Sequence, residues 1–398
     1  MHSGITKEKI EAILKCSFSE ADIIKLLWKG DDAFSSIHDA LKKAEHCICL
    51  EFYIFRNDET GSAIADILIQ KSLAGIDVRV IYDHFGSLST PRSFWKRLRS
   101  AGIEVRDSYP FSWSDPLDYF RRDHKKLILI DRHTAFLGGL NVANEYSGFH
   151  LRRKGRAWRD TGIMLHGPVV RILNEIFLKT WRSRKRERTD NHEASCKCDN
   201  IFTEEKISYD LKMTDTMKPA IPIFASSSRG RRRFRSLLRN SIQSSEKEIL
   251  LTTAYFTPGR LLKRCLKNAA LKGVSIKLLL PMQSDLPFVD YAGRASYEEL
   301  LKAGIQIYLY KGDVLHAKTY VFDRQWSIIG SANLDSMSLR YNDEGNIGIF
   351  DNEFGKKMAR MFEHDIRESV LLSLDEWSER SNYTKALEKF FHIFRRRL

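Results

Sequence analysis

The chain has 398 residues, 43% of them hydrophobic, enough to bury the cores of two domains of ordinary size. It contains no apolar run of about 18 residues, which excludes a membrane-spanning helix, and no compact apolar leader with a small-residue cleavage site, which argues against secretion. The formal charge of +14 is gathered in Arg182 to Arg188, Arg229 to Arg235 and Arg395 to Arg397, and points to an anionic partner, either a lipid surface or a nucleic acid.

Residues 1–30 set Ile10, Ile13 and Leu14, then Ile23, Ile24, Leu27 and Trp28, at helical spacing, and predict one or two amphipathic helices that pack on the core or lie at an interface. Residues 31–181 and 219–380 then repeat one order of elements: helix and strand three times, followed by a motif strand. Leu50 to Phe55 has its counterpart in Leu251 to Thr257. Gly75-Ile-Asp-Val-Arg-Val-Ile-Tyr matches Gly273-Val-Ser-Ile-Lys-Leu-Leu-Leu, and Ala101-Gly-Ile-Glu-Val matches Ala303-Gly-Ile-Gln-Ile. Alternating helical and β-branched runs predict an α/β fold of two tandem lobes, each a mixed, mostly parallel sheet flanked by helices.

Between the lobes, residues 182–218 are polar, without apolar periodicity, and read as a linker. Residues 381–398 form a basic amphipathic helix in which Leu387, Phe390, Phe391 and Phe394 lie beside Lys385, Lys389 and the terminal arginines, the pattern of a membrane-surface anchor. Cys16, Cys47, Cys49, Cys196, Cys198 and Cys265 show no framework spacing beyond two C-x-C pairs, and a reducing cytoplasm fits them best. Cys47 and Cys49 belong to an apolar, strand-like run. Cys196 and Cys198 beside His192 are a weak metal-site candidate.

The chemistry lies in a constellation that occurs twice with one internal spacing: His124-x-Lys126-x4-Asp131-x6-Gly138-Gly139-x-Asn141, and His316-x-Lys318-x4-Asp323-x6-Gly330-Ser331-x-Asn333. On a strand, residues i and i+2 face one way, so each histidine shares a face with its lysine. Asp131 and Asp323 fall at the strand end, where a carboxylate ties down a turn. Gly138, Gly139, Gly330 and Ser331 allow close backbone approach to a substrate, and Asn141 and Asn333 supply amide donors to phosphate oxygens. With no metal-ligand cluster visible, the lysines have to stabilise the charge that develops on phosphorus. A histidine nucleophile needs a partner that fixes its tautomer. The repeat suggests Asp160 for His124 and Glu344 for His316. His84, His150 and His166 lack such company and read as structural.

The doubled pattern resembles the phospholipase D superfamily. Further matches, among them Leu50-Glu-Phe-Tyr-Ile-Phe-Arg, Val80-Ile-Tyr-Asp-His-Phe-Gly-Ser, Trp158-Arg-Asp-Thr, Tyr255-Phe-Thr-Pro and Gly330-Ser-Ala-Asn-Leu-Asp-Ser, make it similar to the bacterial cardiolipin synthases, in the shorter form without transmembrane helices. The resemblance implies an active site at the lobe interface and a cofactor-free, metal-independent exchange in two steps through a phosphohistidine. In that scheme His124 is the nucleophile and His316 the acid/base. It also implies phosphatidylglycerol as substrate, and a cytoplasmic protein held peripherally at the anionic surface of the inner membrane. Met337 and Tyr341-Asn-Asp-Glu depart from the family pattern and bear on acceptor choice. The alternative is a phospholipase D or a nuclease hydrolysing phosphodiesters on the same fold. Phe111, Trp113, Phe120, Leu286, Pro287 and Phe288 are candidates for the apolar rim that lipid tails require, where a nucleic acid would want a charged groove with stacking aromatics.

Overall fold

The computed structural model describes residues 4–111, 121–148, 157–184 and 217–394. In chain order the first elements are α1 (Lys7–Leu14), β1 (Ser19–Leu27), α2 (Gly30–Lys42), β2 (Cys47–Phe52), α3 (Glu59–Leu73), β3 (Asp77–Asp83), α4 (Arg92–Ser100) and β4 (Glu104–Ser108). The motif strand β5 (Lys126–Ile130) follows, then β6 (Thr134–Gly138), α5 (Asn144–Ser147), β7 (Gly162–His166) and α6 (Pro168–Ser183). The second half repeats the series as β8 (Lys218–Phe224), α7 (Ser228–Ser244), β9 (Glu248–Thr252), α8 (Arg260–Leu271), β10 (Ser275–Pro281), α9 (Pro287–Arg294), α10 (Tyr297–Leu301), β11 (Gln306–Tyr310) and the motif strand β12 (Thr319–Phe322). It closes with β13 (Trp326–Gly330), α11 (Ser336–Arg340), β14 (Gly345–Phe350), α12 (Asn352–Arg367), β15 (Ser369–Leu371), α13 (Leu374–Ser378) and α14 (Asn382–Ile393).

These elements fall into two compact units. The first lobe is Ser19–Ala157 with Gly162–Lys218; the second is Met1–Phe18, Trp158–Thr161 and Pro219–Leu398. Most of the predicted linker, with His192, Cys196 and Cys198, lies outside the described residues, as do Trp113, Phe120, His150 and Arg395 to Arg397.

In the first lobe the strand order is β1-β7-β6-β5-β2-β3-β4. Pairing is parallel across β2, β3 and β4 and antiparallel from β2 through β5, β6 and β7 to β1. The second lobe has the order β8-β14-β13-β12-β9-β10-β11-β15, again with its parallel part in β9, β10 and β11 and its motif strand antiparallel to β9. The sheets are therefore mixed. The motif strand is central in each and buried along its whole length.

The N-terminal expectation needs correction. Among the described residues before α2, α1 alone is helical: Thr6 caps it by accepting from the Lys9 backbone N–H, and Lys15 ends it in the left-handed conformation (φ 54). Its apolar face, Ile10 and Leu14, is part of the second lobe's core with Leu237, Leu238 and Ile242 of α7, so it is a core helix and not an interfacial one. Residues 19–27, expected as a second helix, are strand β1, hydrogen-bonded antiparallel to β7. Apolar spacing there fits either period, and the ladder on offer from β7 decides it.

Each motif strand turns into its hairpin partner the same way. Asp131 and Arg132 (φ 49 and 60), like Asp323 and Arg324 (φ 52 and 53), occupy left-handed conformations that glycine or asparagine usually fills. The backbone bonds His133 N–H to Ile130 O (3.2 Å) and Gln325 N–H to Phe322 O (3.0 Å) close the turns. The aspartates stabilise this geometry through their side chains. Asp131 accepts from the N–H groups of Glu45, His46 and Cys47 (2.8, 2.7 and 2.9 Å). Asp323 accepts from Glu246, Lys247 and Glu248 (2.9, 2.8 and 2.8 Å). Each carboxylate clasps the start of the neighbouring strand and sets its register on the motif strand. Hydrogen bonds to a charged group contribute roughly 1.5–3 kcal/mol each and do not add fully, so Asp323→Ala is expected to cost about 3 kcal/mol in chemical denaturation. A loss under about 1 kcal/mol would contradict the clasp.

Candidate functional site

In the second lobe the strand entering β12 carries His316 and Lys318, both buried. The segment Trp158–Thr161 runs beside it: Arg159 N–H bonds to Val314 O (2.9 Å), and His316 N–H to Arg159 O (2.8 Å). This backbone pairing delivers Asp160, whose Oδ2 lies 2.6 Å from His316 Nδ1. Asp160 is thus the partner of His316, not of His124 as the repeat suggested. The expectation followed the order of the chain, whereas the segment carrying Asp160 leaves the lobe that precedes and follows it and packs on the other. Arg159 anchors it through a two-pronged, buried ion pair to Asp365 (Nε to Oδ1 3.0 Å, Nη2 to Oδ2 2.6 Å) and a further bond to Asp160 O. Trp158 and Tyr255 flank the imidazole, with ring centroids 5.5 and 6.3 Å away.

The electrostatics follow from burial. Lack of solvent and the Lys318 ammonium push His316 down to about 4 against the pull of Asp160, so the ring is neutral near pH 7. Burial also lowers Lys318, to about 8, while Asp160 pulls the other way. Burial would raise Asp160, but Lys318 and His316 outweigh it and hold the carboxylate ionised. In the tautomer whose Nδ1–H donates to Asp160, a neutral His316 carries its lone pair on Nε2, the atom that can attack or take a proton. Lys318 donates to His316 O and lies 2.7 Å from Nδ1, which locks the charge beside the ring.

In the first lobe His124 and Lys126 hold the matching places. Lys126 Nζ donates to His124 O (2.6 Å), and the Tyr53 ring packs edge-on against the imidazole (4.9 Å) while lying under the ammonium (5.1 Å). What lies behind this strand was missed in the sequence. The alternate residues Asp123 and Lys125 point to the opposite face, into a buried charge network. Lys125 donates to Glu51 and to Thr180 and lies 3.3 Å from Asp123. Asp123 accepts from Ser108 Oγ (2.9 Å) and pairs with Arg184 (3.3 Å), and its backbone N–H donates to Asp83 (2.7 Å). Burial pushes Glu51 up to about 8. Asp123 would rise too, but Lys125 and Arg184 hold it down at about 2. The strand registers make Thr252 the second-lobe counterpart of Glu51, and Leu315 and Ala317 those of Asp123 and Lys125. The two strand positions that flank His316 are thus apolar and buried. Charged residues inside apolar strand runs were the available signal.

The remaining motif residues work on the protein itself. Asn141 Oδ1 accepts from the Ile54 N–H (3.1 Å) and its amide donates to the Tyr146 hydroxyl (2.8 Å). Asn333 Oδ1 accepts from Thr253 Oγ1 (3.1 Å) and the Tyr255 N–H (3.3 Å). Both, expected to point donors at a phosphate, fix the loop after the neighbouring strand. Gly138 ends β6 opposite Gly162 of β7, and Gly139 follows it. Gly330 is required by packing, since a Cβ there would run into Asn346 and Gly345 of β14. Ser331 Oγ donates to Glu344, expected on His316, and accepts from the Gly345 N–H (3.0 Å). The C-terminal helix α14 docks on α9 through a Tyr291–Phe391 stack (5.8 Å) and a contact of His392 Nδ1 with Ala292 O (2.9 Å). It still exposes Tyr383, Phe390, Ile393 and Phe394, and α9 exposes Phe288.

Comparison with known proteins agrees with this architecture. A family model described as "Cardiolipin synthase, PLD-like domain" matches residues 37–181 and 238–366. Cardiolipin synthase 2 of Bacillus anthracis is 32% identical over 372 residues, covering 93% of this chain and 69% of its own. The major cardiolipin synthase of Bacillus subtilis (strain 168) is 32% identical over 374 residues, with 93% and 74% covered. The crystal structure of a phosphatidylserine synthase from Haemophilus influenzae Rd KW20 superposes with a TM-score of 0.75 over 98% of this chain and 100% of that one; at 14% identity it shows a shared fold.

Asp160→Asn removes the charge that raises His316, so the ring is expected to titrate below its value of about 4 in histidine NMR, and activity to fall by roughly 10²–10⁴. An unchanged titration would contradict the pairing. Removing the cation of the network by Lys125→Met is expected to destabilise the first lobe by roughly 3–5 kcal/mol. Installing the second lobe's apolar and neutral set together (Glu51→Thr, Asp123→Leu, Lys125→Ala) is expected to cost less than that single change, as read by denaturation.

Proposed function

Given that the chain belongs to the cardiolipin synthase family of the phospholipase D superfamily and is a phosphatidyltransferase, we propose that it joins two phosphatidylglycerol molecules into cardiolipin and releases glycerol. The observation that carries this reading is the Asp160-held, neutral His316 with its lone pair on Nε2, beside a buried lysine. His124 attacks the phosphorus of the first phosphatidylglycerol, the bond to the glycerol oxygen breaks, and protonated His316 delivers its proton to that oxygen. The anionic phosphodiester favours the protonated ring on binding, offsetting the burial that disfavours it in the free enzyme. His316, neutral again, then takes the proton of a hydroxyl on the second phosphatidylglycerol as that oxygen attacks the phosphohistidine and His124 departs. Lys126 and Lys318 stabilise the charge on the phosphoryl oxygens throughout.

The reaction belongs at a membrane surface, where both substrates reside. Among the described residues no helix is long and apolar enough to cross a membrane. We assign peripheral contact with the anionic inner membrane to α14, whose exposed Phe390, Ile393 and Phe394 sit beside basic Lys385 and Lys389.

Purified protein with phosphatidylglycerol vesicles and excess EDTA is expected to yield cardiolipin and glycerol by mass spectrometry. Phosphatidic acid with no cardiolipin would favour the hydrolase instead, and cleavage of DNA with no lipid product would overturn the assignment. His124→Ala is expected to abolish the trapped phosphoenzyme and His316→Ala to let it form. An adduct on residue 316 would reverse the two roles. Replacing Phe390 and Phe394 by Glu is expected to weaken vesicle sedimentation by about tenfold, the loss of two buried aromatic rings being partly offset by other contacts.

A further inference from the structure

A cavity of about 700 Å³ opens in the second lobe, lined by residues of α7, α8 and α11, with Ile13 of α1. None of His316, Lys318, Asn333 or Glu344 lines it. Its wall carries six arginines: Arg232, Arg233, Arg235, Arg239, Arg260 and Arg340. Among the described residues the ion pair in this part of α7 is Arg231–Asp343 (3.1 Å), and no carboxylate pairs with any of the six. The one acid in the lining, Asp335, is buried and occupied as the cap of α11, accepting from the Ser338 N–H (2.7 Å). Crowding of like charge is felt inside the cluster: burial, then Arg340, Arg231 and Arg232, all disfavour the charged form of Arg235. Such a cluster is stabilised by an anion, and guanidinium forks match the oxygens of a phosphate.

Apart from Ser236 and Ser336, the rest of the lining is apolar. Leu238, Leu262, Leu339 and Ile13 form it together with Leu261, which is 57% exposed at the start of α8. A free inorganic anion or a nucleic-acid backbone has no use for this surface, whereas a phosphodiester carrying an alkyl chain has. The size is that of a small-molecule site, enough for a headgroup and the first part of one chain.

We propose that this cavity binds one anionic phospholipid, its phosphate held by the arginines and the start of an acyl chain against Leu261 and Leu262, as a site separate from the catalytic motifs. The site does not depend on the exchange chemistry and would stand if the enzyme were a hydrolase. Its consequence is retention of the second lobe on anionic bilayers by a lipid that is bound and not consumed.

The test is photolabelling of the full chain on phosphatidylcholine vesicles doped with phosphatidylglycerol bearing a diazirine near the top of one acyl chain, with adducts mapped by mass spectrometry. Adducts are expected on peptides covering residues 232–239 and 259–265. Arg239→Gln with Arg260→Gln, at exposed positions, is expected to cut this labelling by about tenfold, one charge-assisted contact's worth of affinity. Leu261→Asp is expected to do the same with all six arginines in place. The idea is overturned if a phosphatidylcholine probe labels these peptides equally, if inorganic phosphate or an oligonucleotide displaces the label as well as unlabelled phosphatidylglycerol does, or if Leu261→Asp leaves labelling intact. The comparison of the two lipid probes uses the unaltered chain, so it decides the matter even if a variant fails to fold.

Discussion

Burying an imidazole, an ammonium and a carboxylate side by side is the constraint on which the second lobe's site depends. His316, Lys318 and Asp160 are each almost fully buried, and a charge in that position is tolerated only when a partner offsets its lost hydration. The solution is reciprocal: Asp160 holds the imidazole Nδ1–H, Lys318 holds Asp160 ionised, and Arg159 with Asp365 pins the segment that brings Asp160 in. Weakening any one of these leaves an uncompensated buried charge in the others' company.

The two lobes solve the same problem differently. Each motif strand presents its histidine and lysine from one face, so its other face is free to vary. In the first lobe that face carries the Lys125–Glu51–Asp123 network; in the second the strand itself contributes only Leu315 and Ala317 to it, with Arg159 of the neighbouring segment bridged to Leu315. A buried ion network contributes less to stability than well-packed apolar groups, but its hydrogen bonds have direction. Asp123 and Lys125 flank His124 along the chain, and their partners come from β2, the β3 terminus and α6. Chemistry that asks unequal things of two histidines is consistent with unequal supports behind them.

The repeat was legible in the sequence because both lobes need the same parts at the same spacing: an αL aspartate to clasp the next strand, a histidine and lysine two residues apart, and an asparagine to fix a loop. The order of helices and strands through β5 and β12 could likewise be read from hydrophobic period. Three features could not. β1 carries apolar residues that suit a helix as well as a strand, and only its pairing with β7 distinguishes them. The exchange of Asp160 between lobes involves four residues whose local pattern contains nothing about which lobe they join. The structural bonds of Asn141, Asn333 and Ser331 were not foreseen because an amide or hydroxyl near a motif can serve the protein's own groups as well as a ligand, and buried N–H groups have first claim on such acceptors.

The central claim is a double displacement in which one histidine becomes covalently phosphorylated and the other moves the proton. The stereochemistry at phosphorus tests it most directly. Phosphatidylglycerol made chiral at phosphorus with oxygen isotopes should give cardiolipin with net retention, because two in-line attacks each invert the centre. Net inversion would mean that one alcohol displaces the other directly, and would contradict a covalent role for either histidine.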